Sequence, residues 1–149
     1  MTSATPISFY NSRIEISPDG TTWTDVSGYS SMLSVSGGDR AIGKFFNFSD
    51  DVPQLTPGKR DSLEIALKIA LTQANTDADG KARIAYETGA AFYVRWTPGL
   101  FASGQKQFTS GKGIVKSYQY PQGGAESSDP LVLDSVVAVP SITKGLATT

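Results

Sequence analysis

The sequence predicts a mainly β domain: a sandwich or barrel of antiparallel strands with one short flanking α-helix. Three observations predict it. Alternation of polar and apolar residues with a period of two recurs from one end of the chain to the other. Turn formers, among them 15 Gly and 8 Pro, break that alternation at short intervals. Helix formers gather in one segment, after Gly80.

Taken in order, Arg13-Ile14-Glu15-Ile16-Ser17 alternates and ends at Pro18-Asp19-Gly20, where Pro presets φ and Gly accepts a positive one. Thr21 to Val26 reads as the returning strand of a hairpin. Met32 to Ser36 is a further short strand, broken by Gly37-Gly38, and Ala41 to Phe48 follows with Phe45, Phe46 and Phe48. Two prolines, a glycine and mixed charges mark Ser49 to Lys59 as a loop. Ser62 to Thr72 gives the clearest alternation: Leu63, Ile65, Leu67, Ile69 and Leu71 share one face, and Glu64, Ala66, Lys68 and Ala70 the other. A helix would scatter those aliphatics around its circumference. As a strand the segment would span about 37 Å.

Asp77-Ala78-Asp79-Gly80 offers caps for a helix over Lys81 to Thr88, with Ile84 and Ala85 as its apolar patch and Gly89 as its stop. Ala90 to Thr97 returns to strand, with Phe92, Val94 and Trp96 on one face and Tyr93 and Arg95 on the other. Lys106 to Thr109, Gly113 to Tyr120 and the Val-rich Leu131 to Ile142 complete the strands, and Pro121 to Asp129 is a flexible loop. No internal repeat and no linker interrupts residues 1–149, so one domain is expected, with residues 1–6 and 144–149 as flexible arms.

Composition excludes much chemistry. There is no Cys and no His, so thiolate nucleophiles, Ser-His-Asp triads and Cys- or His-ligated metals cannot be built. The 13 basic residues are matched by 14 acidic ones and form no stripe, which argues against tight nucleic-acid binding. No apolar run approaches the roughly 20 residues of a membrane span, and Met1 to Pro6 lacks the features of a secretory signal.

The remaining motifs are weak. Asn75-x-Asp77-x-Asp79-Gly80 matches the start of a calcium loop, but the twelfth position is Tyr86 where a bidentate Glu is needed; helix capping explains the same residues. Asp50-Asp51 reads as a solvated loop rather than a catalytic carboxylate pair, which would come from separate elements. Ser141-Ile142-Thr143-Lys144 fits S-x-x-K without its companion motifs, and Gly111-x-Gly113 is too short for a phosphate loop. Tyr118 and Tyr120 alternate with polar residues, a pattern of core rim or interface more than of a base-stacking platform. No catalytic, metal-binding or cofactor-binding residue is identified.

Organisation carries the functional reading. The hairpin Glu15 to Val26, the unit Ala41 to Thr72 containing Thr56-Pro57-Gly58-Lys59, the helix after Gly80, and the ending from Gly113-Ile114-Val115-Lys116-Ser117-Tyr118 to Ile142-Thr143-Lys144-Gly145 together resemble the major tail tube proteins of siphophages. The resemblance covers nearly the whole chain and is one of layout rather than of a strict motif. It implies a β-sandwich flanked by a helix, with six copies each closing one sheet into a continuous inner barrel. Rings would stack into a non-enzymatic tube that encloses a tape-measure protein, meets a tail terminator and passes DNA without binding it specifically. Tubes of contractile tails and type VI secretion systems share that fold family. It further implies a virion tail protein, assembled in the host cytoplasm.

Within that scheme Glu64 and Lys68 are expected to face the lumen, with Glu64 offsetting Lys68. Phe46, Phe48, Asp50, Asp51, Leu55 and Lys59 are expected to form a loop for ring-to-ring contact. Two other readings stay open: a carbohydrate- or receptor-binding sandwich using Trp23 or Trp96, and another tail component such as a terminator or neck ring.

Overall fold

The computed structural model describes residues 6–73, 78–99, 101–126 and 128–148. The elements run β1 (Arg13–Ser17), β2 (Thr24–Asp25), β3 (Ser30–Gly37), β4 (Arg40–Phe45), β5 (Gln54–Arg60), β6 (Leu63–Ala70), α1 (Ala78–Thr88), β7 (Ala91–Thr97), β8 (Lys106–Ser110), β9 (Gly113–Tyr118), β10 (Val132–Val139) and β11 (Ile142–Leu146). All strand pairs are antiparallel.

Two sheets enclose the core. One runs β3-β6-β10-β9; the other runs β11-β8-β7-β1-β2. They join where the start of β7 pairs with the start of β9, through Ala91 with Ile114 and Phe92 with Gly113. Gly113 permits that corner: a Cβ there would lie 2.8 Å from the Phe92 carbonyl oxygen and 2.8 Å from a Val139 methyl. Ile65, Leu67, Ile69, Leu133, Val137 and Val139 of the first sheet meet Ile16, Phe92, Val94 and Trp96 of the second in one core. Each such side chain removed from water contributes about 1.5–3 kcal/mol. The helix adds Ala78, Ala82 and Ala85 to it, small residues that let α1 lie close against the strands.

The alternation of Leu63 to Leu71 sets the inward face as the sequence indicates, with Leu67 1% exposed. The strand itself covers eight residues rather than eleven. Asp19 organises the first turn. Its Oδ1 accepts the Thr22 and Thr21 N–H groups at 2.8 and 2.9 Å and the Ser17 hydroxyl at 2.9 Å. Three hydrogen bonds to the ionised form hold this carboxyl well below the usual range, the Thr22 amide contributing most. The turn takes up more of the returning segment than expected, so only Thr24 and Asp25 pair back onto β1.

Other departures have simple causes. Ser49 to Lys59 is not a loop throughout: Gln54 to Arg60 pairs with β4 as a two-stranded arm. Pro57 fits because, among the described residues, neither strand of the arm is flanked by a third, so its missing N–H costs no ladder bond to an outer neighbour. Residues 144–146, expected to be loose, are the second half of β11 and pair with β8, and Ala147 is buried. Pro140 and Ser141 divide the last strand region into β10 and β11. On α1, Ala85 is buried but Ile84 is half exposed, and Gly89 closes the helix by donating its N–H to the Ala85 carbonyl.

Candidate assembly interface

The outward face of the sheet β3-β6-β10-β9 follows from register. Glu64, Ala66, Lys68 and Ala70 of β6 lie beside Ala138, Val136, Asp134 and Val132 of β10, and beside Ser36, Ser34 and Met32 of β3. Ile114 and Lys116 extend the face onto β9. It is built of small residues with two carboxylates and two ammonium groups. Lys116 Nζ meets Glu64 Oε1 at 2.5 Å, and Lys68 stands opposite Asp134. Glu64 and Lys68 thus share the face, but Glu64 pairs with Lys116 of another strand rather than with Lys68, and Lys68 lies in register with Asp134. The sequence singled out neither Asp134 nor Lys116; their place beside Lys68 and Glu64 follows from the strand order.

The sheet ends at one edge in β3, whose second side has no strand partner among the described residues. At the other end β9 pairs with β7 only at Gly113 and Ile114. Unpaired strand edges invite another chain.

The arm leaves the body at Gly37 and Gly38, both in the left-handed region at φ 81° and 78°. A side chain at Gly37 would also strike the Ser62 carbonyl oxygen, 2.9 Å from its Cβ. The arm has no buried face. Ile42, Phe45, Phe46, Val52 and Leu55 are all more than half exposed, and Phe48 is wholly so. Asn47 shapes the tip: its Oδ1 accepts the Ser49 and Asp50 N–H groups at 2.9 and 2.8 Å, and its amide donates to Asp50 Oδ2 at 3.0 Å. Phe46, Phe48, Asp50 and Asp51 therefore sit at the tip, whereas Leu55 and Lys59 lie on strand β5.

A cavity of about 750 Å³ opens at the far end of β3, among Phe9, Tyr10, Arg13, Gly28, Met32 and Phe101. Nothing in the sequence reading singled it out, because its walls come from three separate segments, 9–14, 25–32 and Phe101. The Arg13 guanidinium lies 4.3 Å from the centre of the Phe101 ring.

The remaining singled-out residues are structural. Asn75 and Asp77 lie outside the described residues; Asp79 is buried and accepts the Tyr118 hydroxyl at 2.5 Å. Among the described residues no group of three acidic, His or Cys side chains is placed to hold a metal. Trp96 is in the core, stacked on Phe108, and Trp23 lies under the Arg95 guanidinium at 4.2 Å. Tyr118 and Tyr120 pack edge to face beside Tyr86; desolvation, and then the nearby Glu87 carboxylate, raise the Tyr120 hydroxyl above its ordinary pKa. Ser141 precedes β11 and Lys144 lies on it, where residues three apart along an extended chain face opposite ways. No helix among the described residues is long and apolar enough to cross a membrane.

No protein-family model and no curated protein matches the chain. Solved structures do match. A chain of the anti-feeding prophage baseplate superposes with a TM-score of 0.73 at 11% identity, over 96% of this chain and 97% of that one. The SPP1 tail tube gives 0.72 at 16% identity, over 97% and 81%. A chain of the sheath/tube terminator structure of an extracellular contractile injection system gives 0.71 at 14% identity, over 97% and 99%. The chain shares its fold with these chains of tail tube, baseplate and terminator structures.

Proposed function

We propose that the chain is a non-enzymatic structural subunit of a phage-like tail, assembling into stacked, six-membered rings that form a tube for DNA. The observation that carries this reading is the sheet β3-β6-β10-β9, which ends in the bare edge of β3 and presents a small, charge-balanced outer face. The β3 edge of one copy would continue into the β9 edge of the next, and a closed ring leaves no edge exposed. Six-fold symmetry draws support from the baseplate and gene-transfer-agent tail structures that share the fold, which are six-fold symmetrised.

In such a ring Glu64, Lys68, Lys116 and Asp134 line the lumen. Each exposed cation that neutralises a phosphate adds a salt-sensitive attraction to DNA. Two cations matched by two carboxylates leave no net pull, so DNA passes without specific binding. The arm, with Phe46, Phe48, Asp50, Asp51, Leu55 and Lys59, supplies contact between rings. A tape-measure protein in the lumen, a terminator at the tube end, a place in the virion tail and assembly in the host cytoplasm complete the reading.

A terminator ring is the second reading, because terminator and cap structures share the fold. A sugar-binding module has less support, since Trp96 is in the core and Trp23 is covered by Arg95. Electron microscopy of the purified chain separates them: filaments favour the tube, single rings the terminator, and dispersed monomers neither.

A further inference from the structure

The arm and the cavity occupy opposite ends of one strand. The arm is rooted at Gly37–Gly38, beside Leu63, where β3 ends. The cavity is lined by Ser30, Ser31 and Met32, where β3 begins. Eight residues of strand separate these poles by about 23 Å. A projection at one pole and a recess at the other allow a heterologous contact, and one that repeats along the ring axis without closing builds a stack.

We infer that the arm tip of one copy, Phe45 to Asp51, seats in the pole cavity of the copy stacked beyond it. The inference rests on the tube reading and names the receiving surface. The chemistry of the two surfaces matches. Phe45, Phe46 and Phe48 present three exposed rings, and Phe9, Tyr10, Met32 and Phe101 line the recess with apolar and aromatic surface. A cluster of this kind left in water marks an interaction site.

The recess also offers donors to the tip's carboxylates. The tip carries Asp50 and Asp51; the recess carries Arg13, with the Asp25 carboxylate beside it. Glu15 and Asp25 lie beside Arg13, each with a carboxylate oxygen 3.6 Å from its Nε. Both carboxylates are otherwise engaged: Glu15 takes the Arg95 fork, and Asp25 Oδ1 accepts the Ser27 hydroxyl and amide at 2.6 and 2.9 Å. The Arg13 Nη groups form no hydrogen bond among the described residues, so the recess holds unengaged donors suited to a carboxylate. The tip is also shaped in advance by Asn47, which lowers the ordering cost of docking.

The chain has no cysteine, so a pair of introduced thiols reports the contact directly. Gly28→Cys places one in the cavity wall, where an added Cβ meets nothing within 4 Å; Ser49→Cys places the other on the exposed tip. The full-length double variant is assembled, checked by microscopy, treated with a short bismaleimide and run on a denaturing gel. The docking predicts filaments whose chains form a ladder of covalent multimers, while each single variant stays monomeric on the gel. Filaments that leave the double variant monomeric, or dimers from Ser49→Cys alone, overturn the docking and leave the tube reading standing. Failure of the unsubstituted chain to form any ring or filament overturns both.

Discussion

Lys116 Nζ sits 2.5 Å from Glu64 Oε1, bridging over β10 on the outward face of the sheet that we assign to the lumen. Both side chains are well exposed, so the pair adds only about 0.2–1 kcal/mol to stability. Its importance is to leave that face without net charge. Glu64→Lys should melt within about 1 kcal/mol of the parent by circular dichroism. In an assembled particle it should slow DNA release, and the defect should ease as salt rises. Salt-independent slowing would point away from phosphate attraction.

Leu67 tests the core. It is 1% exposed between Leu33 on β3 and Ser135 on β10. Leu67→Ala should cost about 2–5 kcal/mol in denaturant unfolding, and Leu67→Asp should prevent folding. A Leu67→Asp protein that melts normally would place this residue on the wrong face.

Arg95 tests the ion pair around the buried Glu15 carboxylate. Its Nη2 and Nε donate to the two Glu15 oxygens at 2.7 and 3.2 Å, and Glu15 is 3% exposed. Arg95→Ala leaves that carboxylate with Arg13 at 3.6 Å as its remaining cation. Unfolding should become easier by about 3 kcal/mol. Arg95→Lys, which keeps the charge but loses the fork, should fall between the two.

Asp19 gives a pH dependence. Its folded-state pKa is lowered, so its contribution is complete above the unfolded value of about 3.9 and is lost as pH falls from there toward the folded value. Asp19→Asn should therefore melt below the parent at pH 7, and the gap should close on acidification below about pH 4. A gap independent of pH would show that the hydrogen-bond geometry matters and the charge does not.

What could be read from the sequence follows from burial. β6 was legible because one side of it is core and the other is not, and a period of two records that difference directly. β5 was not legible: both of its faces are exposed, so Gln54 to Arg60 carries no alternation, and Pro53 and Pro57 mimic a loop. The strand end at Lys144 to Leu146 was hidden for the same reason, being exposed on an edge strand. Of the residues on the outward face, Glu64 and Lys68 were placed together by periodicity. Lys116, 52 residues from Glu64, needs the strand order to be seen, and so does the cavity around Arg13.

The central claim is assembly, and electron microscopy of the purified, full-length chain across protein concentration and salt measures it most directly. The account predicts rings that stack into hollow filaments of uniform width. A chain that stays monomeric under all of these conditions, with ultracentrifugation agreeing, would contradict it.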